Sequence, residues 1–183
     1  MNGQEIIESK LRSALKECEQ HRLRLHAAWE EGVAFKALED GSVAELTDEQ
    51  VRTLDQLLFR FAKLQDAIGM RLLPAALKLV QEWQDNEPFL DKLNRAEKMG
   101  MLPSVEQWQL LRELRNRTAH EYPDEPEIAR SALRLLIAKV PALEEAHSHI
   151  VSWNQTRILK NLEKDKGRTA GRKDSSNPAD GEL

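Results

Sequence analysis

Thr47-Asp48-Glu49-Gln50-Val51-Arg52-Thr53-Leu54-Asp55-Gln56-Leu57-Leu58-Phe59-Arg60-Phe61-Ala62-Lys63-Leu64-Gln65-Asp66-Ala67-Ile68 is the stretch that decides the fold. Thr47 with Gln50 three residues on is a capping-box signature, and Asp48 and Glu49 put acid where the helix dipole is positive. Val51, Leu54, Leu58, Phe61, Leu64 and Ile68 recur at spacings of three and four, so one face of a helix is apolar. Carried on to Trp83, that helix would be about 54 Å long at 1.5 Å per residue, which is long for a bundle. Gly69 and Pro74 predict a kink, because proline cannot donate to the residue-70 carbonyl and crowds it.

The same period runs outward in both directions. Upstream, Ile6, Leu11, Leu15, Cys18, Leu25 and Trp29 stripe a helix from about Gln4 to Glu31, ended by Gly32 and Glu39-Asp40-Gly41-Ser42. Downstream, Asp85-Asn86-Glu87-Pro88 opens a short helix that stops near Gly100. Ser104 with Gln107 is a second capping box, and the helix it starts is closed by Pro123, Asp124 and Pro126. A last helix carries Ile128, Leu133, Leu136 and Val140, then Leu143, Ala146, Ile150, Trp153 and Ile158, with Pro141 a second candidate kink. No segment alternates as a strand, and no internal repeat is evident. The expectation is an all-α, up-and-down bundle of about five helices. It would span residues 1–163, with 164–183 a disordered basic and polar tail.

Composition sets the outer limits. A chain of 183 residues holds one domain with a real core, and a second would be cramped. The formal charge of −4 argues against a surface coated for nonspecific nucleic-acid binding, but leaves room for a local basic cleft. The single Cys18 excludes an internal disulfide and fits a reducing compartment. Met1-Asn2-Gly3-Gln4-Glu5 lacks the basic start of a secretory signal, and the apolar run Leu72 to Val80 is interrupted by Lys78. A soluble cytoplasmic protein, with no membrane partner, is expected.

Chemistry concentrates in Arg115-Asn116-Arg117-Thr118-Ala119-His120-Glu121-Tyr122. A guanidinium is a permanent cation whose planar donors suit phosphate, and an imidazole can take and return a proton near neutral pH. Phosphodiester cleavage needs both. Arg115 and Thr118 continue the stripe of Trp108 and Leu111, so Arg115 faces protein and must find a partner. Arg112 and Arg117 point elsewhere and are expected in solvent. Arg115 and His120 stand about 140° apart on a regular helix. Either the helix ends near His120 and its ring turns back, or a second subunit completes the site across a two-fold axis. A histidine at that helix end would feel the negative dipole, which favours its protonated form.

Arg115, four residues, His120, one residue, Tyr122 resembles the R-x4-H-x-Y motif of HepT-type HEPN ribonuclease toxins, and Asn116 matches the polar residue that follows the arginine there. The resemblance implies a HEPN-like bundle, a homodimer and a metal-independent endoribonuclease of a toxin–antitoxin pair, without a cofactor. RNA, with tRNA a candidate, would be cut by attack of its own 2′-hydroxyl, so DNA should resist. His120 would be general base or acid, Arg115 would stabilise phosphoryl charge, and Asn116 would orient either group. The implied partner is a nucleotidyltransferase antitoxin that adds AMP to Tyr122, placing a phosphate beside the cations that grip RNA.

Two other readings stand beside it. The chain could be a non-catalytic helical partner or substrate-binding subunit of a nucleotidyltransferase, or a helical interaction protein in which the motif arose by chance. Gly41-Ser42 looks like the start of a nucleotidyltransferase motif, but no Asp-x-Asp pair is present to hold magnesium. His21 with His26, and His147 with His149, do not share helical faces, so no metal site is expected. Cys18 and the four tryptophans read as core or interface residues. The basic run Arg157, Lys160, Lys164, Lys166, Arg168, Arg172 and Lys173 reads as a solvated tail or as a contact to RNA backbone.

Overall fold

The capping box at Thr47 closes in both directions: Thr47 N–H donates to Gln50 Oε1 at 3.0 Å, and Gln50 N–H donates to Thr47 Oγ1 at 3.2 Å. The computed structural model describes residues 3–35, 45–118 and 126–171, the last stretch with side chains at 128 and 130–157. Its elements are α1 (Gly3–Gly32), α2 (Asp48–Ala67), a π-helical segment (Ile68–Leu72), α3 (Leu73–Leu79), α4 (Phe89–Lys98), α5 (Val105–Thr118) and α6 (Pro126–Gly171). There is no strand among the described residues. Because α2, the π segment and α3 run on without a break, the described chain forms five helical rods. The protein is an all-α bundle.

The rods pack up and down. Thr53 meets Glu31, Arg60 meets His21 and Arg71 meets Glu17, so α1 lies antiparallel along the second rod. On α1 the buried positions Leu11, Ala14, Cys18, Leu25, Ala28 and Gly32 follow a three-four rhythm, and His21 occupies the step missing from it. On α2 the stripe is rotated slightly from expectation: Leu57 is fully buried, whereas Leu58 lies at its edge and Val51 is exposed. Cys18 is fully buried, and desolvation pushes its thiol up to about 12, so it is a small apolar filler.

Neither proline breaks its helix. Ahead of Pro74 the helix widens by a π turn, in which Leu73 N–H donates to Ile68 O five residues back. In α6 the proline at 141 lacks the N–H that Ile137 O would accept, and the indole N–H of Trp29 donates to that carbonyl at 2.9 Å. The helix therefore passes through Pro141 with the orphaned acceptor satisfied from α1. α3 stops at Leu79, short of Trp83, because Gln81 adopts φ 61° and Glu82 N–H folds back onto Leu77 O at 2.9 Å. Gly100, at φ 74°, ends α4 in the same manner. Ser104 Oγ accepts from Gln107 N–H at 3.1 Å, and the Glu97 carboxylate takes the Val105 N–H, so the start of α5 is capped.

α6 continues past the expected boundary at 163 and 164 to Gly171, and residues 172–183 lie outside the described residues. Of the basic run, Arg157 alone has a described side chain, its guanidinium 5.7 Å from the Trp153 ring centre. No helix among the described residues is long and apolar enough to cross a membrane.

Candidate functional site

α5 buries Val105, Trp108, Leu111 and Leu114, which leaves Arg115 half-buried at the edge of the packed stripe. Its expected partner is Asp66, in the last turn of α2: Arg115 Nη2 donates to Asp66 Oδ2 at 3.1 Å and approaches Oδ1 at 3.4 Å. Nη1 donates to Asn116 Oδ1 at 3.1 Å. The guanidinium fork is thus held on two sides in the last turn of α5, where a cation also complements the helix dipole. Thr118 Oγ1 donates to Leu114 O at 2.9 Å, and the described part of α5 ends there. His120 and Tyr122 lie outside the described residues, so the two ways of bringing His120 to Arg115 stand as expectations.

Arg115 and Asn116 open onto a cleft of about 540 Å³ between the second rod, α5 and the segment leading into α4. Its lining carries three cations, Lys78, Arg112 and Arg115, against one carboxylate, Asp66. Arg112 is exposed, as expected, and lines the cleft with its guanidinium 5.7 Å from the Phe89 ring centre. Trp83 also lines the cleft, with the Lys92 ammonium 4.0 Å and the Lys78 ammonium 5.2 Å from its ring centre. Its indole N–H donates to Asp85 Oδ1 at 2.8 Å. Trp108, read as core, is core: it packs so near the π segment that a Cβ on Gly69 would come 3.2 Å from its Cζ2.

Two residues that line this cleft each carry a donor sealed from solvent and without a partner. Gln65 and Trp108 are 3 % and 2 % exposed, and neither Gln65 Nε2 nor Trp108 Nε1 has a hydrogen-bond partner. A buried unpaired donor costs about 1–3 kcal/mol. Sequence reasoning missed Asp66, Gln65 and the aromatic wall, because α2, the segment after α3 and the start of α4 supply them from distant parts of the sequence. A weak signal was present: Asp66 follows a buried stripe by one step, at the point where Gly69 and Pro74 disturb the helix.

The site can grip an anion beside an aromatic, partly enclosed surface. Among the described residues no group of three or more His, Cys, Asp or Glu could hold a metal ion. No family model, no curated protein and no solved structure matches the chain. What the fold defines is its class, an all-helical bundle with a cationic cleft.

Proposed function

We propose that this chain is a HepT-type HEPN ribonuclease toxin, a metal-independent endoribonuclease acting on RNA and paired with a nucleotidyltransferase antitoxin. The observation that carries the reading is the state of Arg115: half-buried, oriented by Asp66 and Asn116, and turned onto a cleft with an excess of cations. A preorganised guanidinium of this kind stabilises charge on a phosphoryl group without reorganising at the moment of reaction. In this mechanism the ribose 2′-oxygen forms a bond to phosphorus as its proton passes to a base. The bond to the 5′-oxygen of the next nucleotide breaks as that oxygen gains a proton, leaving a 2′,3′-cyclic phosphate. His120 serves as base or acid, Arg115 holds the phosphoryl oxygens, and a two-fold dimer brings two motifs together.

The second reading, a non-catalytic partner of a nucleotidyltransferase, is favoured by one observation: Asp66 already neutralises Arg115, as in a structural ion pair. Cleavage of labelled total tRNA in EDTA separates the two. Wild-type cutting with cyclic-phosphate ends, lost in Arg115→Ala and His120→Ala proteins that remain folded, is the expected result. Full activity in either variant would remove that residue from the mechanism. An inactive wild type that carries added AMP by intact mass is a neutralised toxin, and an inactive unmodified chain is the non-catalytic partner. Tyr122→Phe should abolish AMP acceptance from the antitoxin, and a variant still modified would exclude Tyr122 as acceptor.

A further inference from the structure

Met70, Pro74 and Lys78 line both the cleft that holds Arg115 and a second groove of about 360 Å³, between α1 and the second rod. At steps of four they form one ridge of that rod, with a groove on either side. The second groove takes Lys10 from α1 and Arg71 from the π segment, against one carboxylate, Glu17. Arg71 Nη1 donates to Glu17 Oε2 at 2.7 Å, yet the arginine side chain stays 66 % exposed. Lys10, Lys78 and Arg112 are exposed as well, and they enter no ion pair among the described residues. The two grooves thus gather Lys10, Arg71, Lys78, Arg112 and Arg115 against Asp66 and Glu17, on a chain whose formal net charge is −4. The ridge between them is apolar at Met70, which is 74 % exposed. An open thioether between two rows of cations suits a ligand that alternates anions with flat apolar groups, and that is the make-up of a nucleic-acid strand.

We infer that the α1 groove extends the RNA site: a single strand held by Arg115 in the cleft crosses the ridge, and Lys10 and Arg71 grip its flanking phosphates. Lys78 serves both grooves, and Met70 packs against a base or ribose at the crossing. These contacts go to backbone charge, so the groove adds affinity and reach without reading base sequence. The inference rests on the ribonuclease reading for its ligand, but it concerns binding away from the reacting phosphate and is tested without cleavage.

The test uses the full-length protein and 2′-O-methyl oligoribonucleotides, which cannot be cut by 2′-hydroxyl attack. Single strands of about 4 and about 12 nucleotides are compared by fluorescence anisotropy across a salt series. A longer strand gains affinity from extra registers alone, so the slope of log affinity against log salt decides. Each gripped phosphate adds about 0.7 to that slope, so the wild type should be steeper for the long strand by about 1.4. The double variant Lys10→Gln, Arg71→Gln should return the long strand to the slope of the short one and weaken it about tenfold or more at low salt. Its affinity for the short strand should not change. Glu17→Gln, which releases Arg71, should tighten the long strand alone, a gain that misfolding cannot imitate. Equal slopes for the two lengths, or a double variant that weakens both strands alike or neither, overturns the inference and leaves these cations to an acidic protein partner. A steeper slope governed by Lys10 and Arg71, with no cutting of unmodified RNA, upholds the groove and removes the nuclease reading. Cutting with equal slopes does the reverse, and no binding at either length removes both.

Discussion

Asp66 Oδ2 lies 3.1 Å from Arg115 Nη2, tying the last turn of α2 to the last turn of α5 across 49 positions of sequence. Both side chains are about one-third exposed, so the pair contributes little to stability, on the order of 0–1 kcal/mol. Its consequence is orientation and charge. The carboxylate holds the guanidinium against the cleft and offsets one of its cations.

Asp66→Asn should therefore leave the unfolding free energy within about 1 kcal/mol of wild type. It should raise affinity for an uncleavable RNA, with a steeper salt dependence, because one negative charge has left the cleft. Urea unfolding and anisotropy across a salt series read both effects. Severe destabilisation would instead make the pair a structural element.

Trp29→Phe isolates the bond across Pro141. Phenylalanine keeps most of the apolar packing but leaves Ile137 O without the indole donor. A loss of about 1 kcal/mol in unfolding free energy is expected. Joining this change to Pro141→Ala, which restores the helical N–H, should recover most of that loss. A double-mutant cycle measures the coupling.

Gln81 stands in the left-handed region at φ 61°, which costs a side-chain-bearing residue about 1–2 kcal/mol. Gln81→Gly should stabilise the protein by about 1 kcal/mol, since the native turn is kept and its steric cost removed. An increased urea midpoint with an unchanged slope checks this. A decrease would mean that the glutamine side chain supports the turn.

His147 is buried between α1 and α6, and desolvation pulls its pKa below the ordinary 6.5, with Glu19 opposing and Arg22 assisting. His21 is also lowered, by burial and then by the Arg60 charge. A histidine whose folded pKa is depressed binds its proton more readily when unfolded. Stability is thus fullest above 6.5, falls as pH drops below it, and levels off once the folded form is also protonated. Unfolding midpoints measured from about pH 7.5 to 5 should decline, and His147→Gln should flatten that decline. Glu19, held low by its bond to Arg22, adds a separate loss only below the ordinary carboxylate value of 4.5.

The sequence by itself determined the helices, because their causes are local. Thr47, Gln50, Ser104 and Gly100 mark ends within a few residues of the groups they satisfy, and the three-four rhythm of apolar positions sets which face is buried. It also marked Arg115 as a charge in need of a partner. Tertiary structure decided what answers each local defect. Asp66 reaches Arg115 across 49 positions, and Trp29 reaches the carbonyl freed by Pro141 across 108. Arg112, Trp83 and Phe89 converge on one cleft only after α4 and α5 pack against the widened turn before Pro74. Periodicity encodes a face, whereas a pocket depends on register and separation between faces, which side-chain packing sets.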